Sequence, residues 1–203
     1  MTDLRIADIE RWSTVDWPDE IVATVFCRGC NWACPYCHNP GLRQASGDTV
    51  PWTEVLAFLA TRRGLLDGVV FSGGEPLLQS ALPAAMAEVK AMGFGIGLHT
   101  GGPSPERFAA VLPLLDWVGF DVKAPFAEYE TITQVPHSGE AAQKSLQMLL
   151  ASDVACQLRT TVHPKLTDAA TLDRLNRDLS ALGAGPTVVQ PFRAQGCIDP
   201  TLV

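Results

Sequence analysis

The chain has 203 residues, 47% of them hydrophobic, and carries a formal net charge of −7 with a pI near 5.0. That length suits one domain with a substantial core, and the acidic balance argues against nucleic acid or an anionic membrane as the main partner. No window approaches roughly 18 uninterrupted apolar residues, so no membrane span is expected. The N-terminal MTDLRIADIE carries acids and no apolar run, so neither a signal nor a transit peptide is read there. Six cysteines, three of them clustered, fit a reducing compartment, the cytoplasm, and a metal site.

Residues 4–11 (LRIADIER) alternate apolar and polar and predict a short strand, and 13–18 (STVDWP) predict a turn. Together, 1–19 read as an N-terminal strand-and-turn extension of a single domain over 1–203. Residues 20–27 (EIVATVFC) predict a strand that runs into the cysteine cluster, and His38-Asn39-Pro40-Gly41 is dense in turn residues. Pro51 suits the first turn of a helix whose apolar face is Val55, Leu56 and Leu59, with Gly64 as a stop. Residues 67–72 (DGVVFS) predict a buried strand that leads into Gly73-Gly74-Glu75-Pro76. The alternation then continues with a helix over 80–92, a strand over 94–99, a helix over 105–112 and a strand over 115–122. A helix over 139–151, a strand over 154–162, a helix over 167–182 and a strand over 187–192 complete it. Six strands of this βα type argue for a parallel sheet. A closed eightfold barrel typically needs about 250 residues, so the predicted fold is α/β, a partial, open, parallel (β/α)6 barrel.

Cys30, Cys34 and Cys37 have the spacing C-x3-C-x2-C on the loop after the 20–27 strand, where α/β proteins place their chemistry. Three thiolates can hold three corners of a [4Fe–4S] cluster and leave one iron without a protein ligand, whereas electron-transfer clusters use four cysteines. Other readings of these thiols stay open. With Cys27 the stretch is C-x2-C-x3-C-x2-C, a zinc-like set, although zinc ribbons usually separate their pairs further. Using Cys27 also permits an ordinary four-cysteine cluster. Cys34-Pro35-Tyr36-Cys37-His38 fits the haem attachment pattern C-x-x-C-H, which normally belongs to exported proteins. A disulfide scaffold is unneeded in a chain with a full apolar core.

Further candidates fall at the ends of the other strands. Gly73 and Gly74 let backbone approach a ligand closely, and Glu75 can accept from an ammonium group. His99-Thr100 ends the next strand; His99 alone reads equally as a structural histidine. Asp121 and Lys123 alternate onto one face at a strand end, and a weak surface ion pair is the plain alternative. Arg159 among apolar neighbours needs a carboxylate or phosphate partner. Gly93-x-Gly95-x-Gly97 does not fit G-x-G-x-x-G, so a dinucleotide site is not expected.

The motifs C-x3-C-x2-C at 30–37, SGGEP at 72–76 and DVK at 121–123, in this order, resemble the radical S-adenosylmethionine (SAM) superfamily. More narrowly, GCNWACPYCHNP at 29–40, GLLDGVVFSGGEPLLQ at 64–79 and DVKAPFAEY at 121–129 are similar to the glycyl-radical-enzyme activases. The short chain is most like the activating proteins of anaerobic ribonucleoside-triphosphate reductase.

The resemblance implies an open radical SAM barrel and a [4Fe–4S] cluster held by Cys30, Cys34 and Cys37. It implies SAM chelating the open iron, with Gly73, Gly74 and Glu75 at its amino group and Tyr36 against adenine. Asp121 and Lys123 would also contact SAM, and Thr100 and Arg159 would join the cofactor site. Reductive cleavage of SAM would yield a 5′-deoxyadenosyl radical that abstracts hydrogen from a glycine of a glycyl-radical enzyme, the electron coming from a flavodoxin- or ferredoxin-type donor. Pyruvate formate-lyase activase has an Asp-Thr pair that helps hold a monovalent cation near SAM; His99-Thr100 stands at that place here and supplies no negative charge. Six residues follow Cys197, too few for an auxiliary-cluster domain. A radical SAM enzyme acting on a small molecule, such as a 7-carboxy-7-deazaguanine synthase, and a non-catalytic iron–sulfur or zinc protein are the alternatives.

Overall fold

The computed structural model of the chain describes residues 4–203. It contains one seven-stranded sheet in sequential order: β1 (Ile6–Ser13), β2 (Val22–Cys27), β3 (Gly68–Gly73), β4 (Gly95–Thr100), β5 (Trp117–Asp121), β6 (Ala155–Val162) and β7 (Val188–Pro191). β1 is antiparallel to β2, and every later neighbour pairs in parallel. Sequential order is what successive crossovers of one hand produce. β1 and β7 end the sheet without pairing to each other, so the barrel is open, as expected from the chain length. All seven strands fall where the sequence predicts them, within a few residues.

The helices follow suit: α1 (Trp52–Ala60), α2 (Leu82–Ala91), α3 (Pro105–Val111), α4 (Tyr129–Thr133), α5 (Ser138–Leu150) and α6 (Ala169–Ala181). Only α4, five residues long, is unanticipated; so short a helix carries no readable period. Apolar residues spaced three or four apart face the sheet, such as Leu82, Ala85, Met86 and Val89 on α2 and Ala142, Leu146 and Leu149 on α5. They pack on Ala23, Val25, Val69, Phe71, Ile96, Leu98, Val118 and Phe120, all buried on the helix side of the strands. Each such large side chain contributes roughly 1.5–3 kcal/mol by leaving water.

The period of two along each strand turns the alternate residues into the lumen. Polar groups line this inner face: Ser72 pairs with His99, Arg159 lies against His99 and donates to Asp121, and Thr24 donates to Asp16 of the β1–β2 turn. The β1–β2 turn plugs the lower end of the lumen. Trp17 stacks on Trp117 with ring centroids 5.6 Å apart, and lies over Gly68, Gly95 and Gly97. A Cβ at Gly97 would stand 2.9 Å from Trp17 Cε3. The glycine run that fits no dinucleotide motif therefore makes room for an indole. Because Trp17 blocks one end, the lumen opens at the C-terminal ends of the parallel strands.

Candidate functional site

A cavity of about 850 Å³ occupies that open end. Cys30, Cys34 and Cys37 line it, together with Tyr36, Gly73, Gly74, Glu75, Thr100, Asp121, Lys123 and Arg159, so the structure brings every residue singled out from the sequence to one place. The cysteine loop is pinned from two sides, by the 42–43 segment and by α4. Gly29 N–H donates to Leu42 O at 2.7 Å, Cys30 N–H to Arg43 O at 3.1 Å, and Ala33 N–H to Thr133 O at 2.8 Å. The last bond ties the loop to α4, and Trp32 meets Tyr129 of α4 edge to face at 5.9 Å.

The three thiols are half-buried. Burial, the dominant cause, pushes Cys30 up to about 11 and raises Cys34, although Lys123 pulls Cys34 the other way. Without a bound metal both stay thiols, and coordination to iron would deprotonate them. Cys27 behaves differently. Its strand parity turns it to the helix side, where it is fully buried in the core, and that burial drives its pKa far upward. Cys156 is exposed on β6. No three His, Cys, Asp or Glu side chains among the described residues are grouped as a single metal ion would require. In a [4Fe–4S] cluster each thiolate holds a different iron, so three ligands need not converge on one point.

The loop after β3 sits directly on the cysteine loop. Gly74 N–H donates to Cys27 O, and Glu75 N–H to Gly29 O, both at 2.8 Å. A Cβ at Gly74 would stand 2.3 Å from Gly29 O, so any side chain there would part the two loops. Glu75 is buried. Its Oε1 accepts from Leu77 N–H at 3.0 Å and Thr100 Oγ1–H at 2.8 Å, and Oε2 accepts from Gly101 N–H at 3.1 Å. Burial raises its carboxyl to about 7 despite those donors. Thr100 Oγ1 also accepts from Gly102 N–H at 2.9 Å, so its hydroxyl is already engaged within the protein.

On the facing wall Asp121 lies between two cations, Lys123 Nζ at 3.1 Å and Arg159 Nη2 at 3.0 Å. Burial opposes ionisation of Asp121, but Lys123 and Arg159 outweigh it and hold the carboxyl well below its usual range. Lys123 is raised for the converse reason: burial would lower it, and Asp121 overrides that cost. This pair is therefore no exposed surface bridge. Tyr129, absent from the sequence reading, fixes its turn: the phenol accepts from Lys123 N–H at 3.0 Å and donates to Asp121 O at 3.3 Å. Lys123 Nζ stands 6.0 Å from the centre of the Tyr36 ring, whose buried hydroxyl has no hydrogen-bond partner among the described residues.

An open, mostly parallel barrel with a three-cysteine loop at its mouth defines an α/β protein with a thiol-lined cavity at its strand ends. The model of the Radical SAM superfamily matches residues 24–176. A candidate glycyl-radical enzyme activating enzyme of Methanocaldococcus jannaschii is 31% identical over 179 residues, covering 83% of this chain and 72% of its own. The pyruvate formate-lyase-activating enzyme of Clostridium pasteurianum is 31% identical over 172 residues, covering 81% of this chain and 71% of its own. Among solved structures, TYW1 with a lysine-pyruvate adduct bound superposes with a TM-score of 0.66 at 12% identity, covering 90% of this chain and 68% of that one, a likeness of fold alone. The chain belongs to the radical SAM superfamily, in its glycyl-radical enzyme activating group. It is an enzyme of that class, and its cofactors are a [4Fe–4S] cluster and SAM.

The cavity has the chemistry those cofactors need. Three thiols crowd one wall, and no fourth cysteine lines it. The opposite wall carries two cations against one carboxylate, a surplus suited to the carboxylate of an amino acid. Glu75, raised by burial, gains from a neighbouring ammonium. The unpartnered Tyr36 hydroxyl offers one further polar contact.

Proposed function

We propose that the protein reductively cleaves SAM and installs a glycyl radical on a partner enzyme, most closely anaerobic ribonucleoside-triphosphate reductase. One observation carries this reading: the half-buried thiols, the Glu75-anchored loop and the Asp121–Lys123–Arg159 group line one cavity in an open barrel. Cys30, Cys34 and Cys37 hold the cluster. A reduced cluster held there would supply the one electron that SAM needs to release methionine and a 5′-deoxyadenosyl group able to take a hydrogen atom from a glycine Cα. Backbone at Gly73 and Gly74, with Glu75, receives the SAM ammonium. Lys123 and Arg159 draw the carboxylate, and Asp121 holds both cations in place. Tyr36 packs against adenine. Thr100 holds Glu75 in place through its hydroxyl proton and keeps one oxygen lone pair for the cofactor. The protein's share of the chemistry is binding, orientation and exclusion of water.

Residues 1–203 act as one domain, in the cytoplasm, with electrons from a flavodoxin- or ferredoxin-type donor. The test is the yield of 5′-deoxyadenosine under excess dithionite in Asp121→Asn and Lys123→Met. Both should keep iron content and circular dichroism while cleavage falls tenfold or more, about 1.4 kcal/mol of lost stabilisation. Wild-type yields would remove this pair from the site.

A further inference from the structure

Beyond β7 the chain leaves the sheet edge and crosses the open side of the barrel toward the cysteine loop. Phe192 sits between two histidines, stacked on His38 with centroids 5.9 Å apart and edge-on to His163 at 4.8 Å. The segment then touches the cysteine loop through a backbone oxygen and a thiol. His38 Nδ1 pairs with Gln195 O at 3.3 Å, and Cys197 Sγ–H donates to Pro35 O at 3.4 Å. Gly196 presses on His38 O: a Cβ there would stand 2.1 Å away, and its φ of +82° is one that glycine adopts readily. The far end is anchored again. Leu202 is buried in the core, and its carbonyl accepts from His163 Nε2 at 3.1 Å. Lys165 N–H donates to His163 Nδ1, which fixes the proton of that ring on Nε2. Arg193, Gln195 and Gly196 form a wall of the cavity.

Both ends are thus held by the core. The middle, 193–199, is tied to the cysteine loop by two side-chain-to-backbone hydrogen bonds, each worth only about 1 kcal/mol net, and most of its residues are exposed. We propose that residues 192–202 are a strap closing the open side of the barrel, and that a glycine-bearing segment of the protein substrate enters by displacing its middle. This rests on the proposed activity on a protein glycine. A cavity that protects a radical must shut out solvent until its substrate arrives, and β7, short and ending in Pro191, is a poor edge for a peptide to extend.

The test uses the metal-free protein and iodoacetamide, so it does not depend on turnover. Gly196→Val should wedge the strap from His38 and speed alkylation of Cys34, Cys37 and Cys197 tenfold or more, with the melting temperature held. Cys197→Ala, which drops one tie without adding bulk, should speed alkylation of Cys34 and Cys37 by a smaller factor. In the wild type, candidate reductase shown to bind by sedimentation should accelerate alkylation of Cys197. In the reconstituted Gly196→Val enzyme, partner-free 5′-deoxyadenosine formation should rise severalfold. Wild-type alkylation rates in both folded variants, or slowed alkylation of Cys197 in the complex, would overturn the strap. Faster alkylation in an enzyme that never cleaves SAM would leave the strap standing and remove the proposed activity.

Discussion

The Arg159 guanidinium stands 3.1 Å from the ring of His99, Nη1 to Nε2. His99 Nε2 also lies 2.7 Å from Asp16 O, an oxygen that only accepts, so a donor and an acceptor contend for this one ring nitrogen, and Ser72 Oγ stands 3.1 Å from Nδ1. Burial first, and Arg159 second, push the His99 pKa down to about 4. The ring is neutral, and the fixed positive charge beside it in the cavity is the Arg159 side chain.

A pH dependence of stability follows. Below about 6.5, the ordinary histidine value, the unfolded chain takes up a proton on His99 that the folded chain refuses until about pH 4. The His99 contribution to stability should therefore fall as pH drops from 6.5 to 4. Glu75, raised by burial to about 7, contributes with the opposite sign between about 7 and 4.5. The two offset in the wild type, so His99→Gln should leave stability rising as pH falls through that window. Urea unfolding of the metal-free protein across this window measures it; an identical slope in the variant would show that His99 is not the titrating group. Because Arg159 supplies the local charge, SAM binding should not change when sodium and potassium are replaced by tetramethylammonium at constant ionic strength.

Glu75 is spent on holding two loops together as well as on charge. In Glu75→Gln the amide nitrogen must face at least one N–H or O–H donor among Leu77, Thr100 and Gly101. That unsatisfied pairing should cost about 1–3 kcal/mol of stability. SAM affinity should fall by roughly tenfold to a hundredfold through loss of the charge-assisted bond. Calorimetric unfolding and equilibrium binding read the two effects separately, and unchanged SAM affinity would take Glu75 out of the binding site.

The cysteines divide by the face they occupy. Anaerobic reconstitution should give about four irons per chain, and Cys34→Ala should abolish it. Cys27→Ala, Cys156→Ala and Cys197→Ala should keep it, because Cys27 is in the core, Cys156 is on an exposed stretch and Cys197 bonds a carbonyl. Iron analysis decides; loss of iron in Cys27→Ala would support four protein ligands.

The strands were readable because each is a short apolar run bounded by turn residues, and the motifs because their spacing is local. Three features were not. The insertion of Trp17 beneath Gly95 and Gly97 joins residues some 80 positions apart, and nothing near Trp17 marks it as a plug. Tyr129 orders the Asp121–Lys123 turn from a helix too short to show a period. The strap depends on Gly196 and Cys197 meeting His38 and Pro35, a contact that exists only after the sheet has curled. Arg159 was legible as a residue that needs an anionic partner, but which partner was not: it reaches Asp121 from the adjacent strand.

The activity itself is tested most directly by electron paramagnetic resonance. The reconstituted enzyme, dithionite, SAM and the candidate anaerobic ribonucleoside-triphosphate reductase are mixed without oxygen. A glycyl-radical doublet on the reductase, absent when SAM is omitted and in Cys34→Ala, is the expected result. Stoichiometric 5′-deoxyadenosine with no radical on a bound reductase would contradict activation of that partner, and no cleavage of SAM by cluster-loaded protein would contradict the account as a whole.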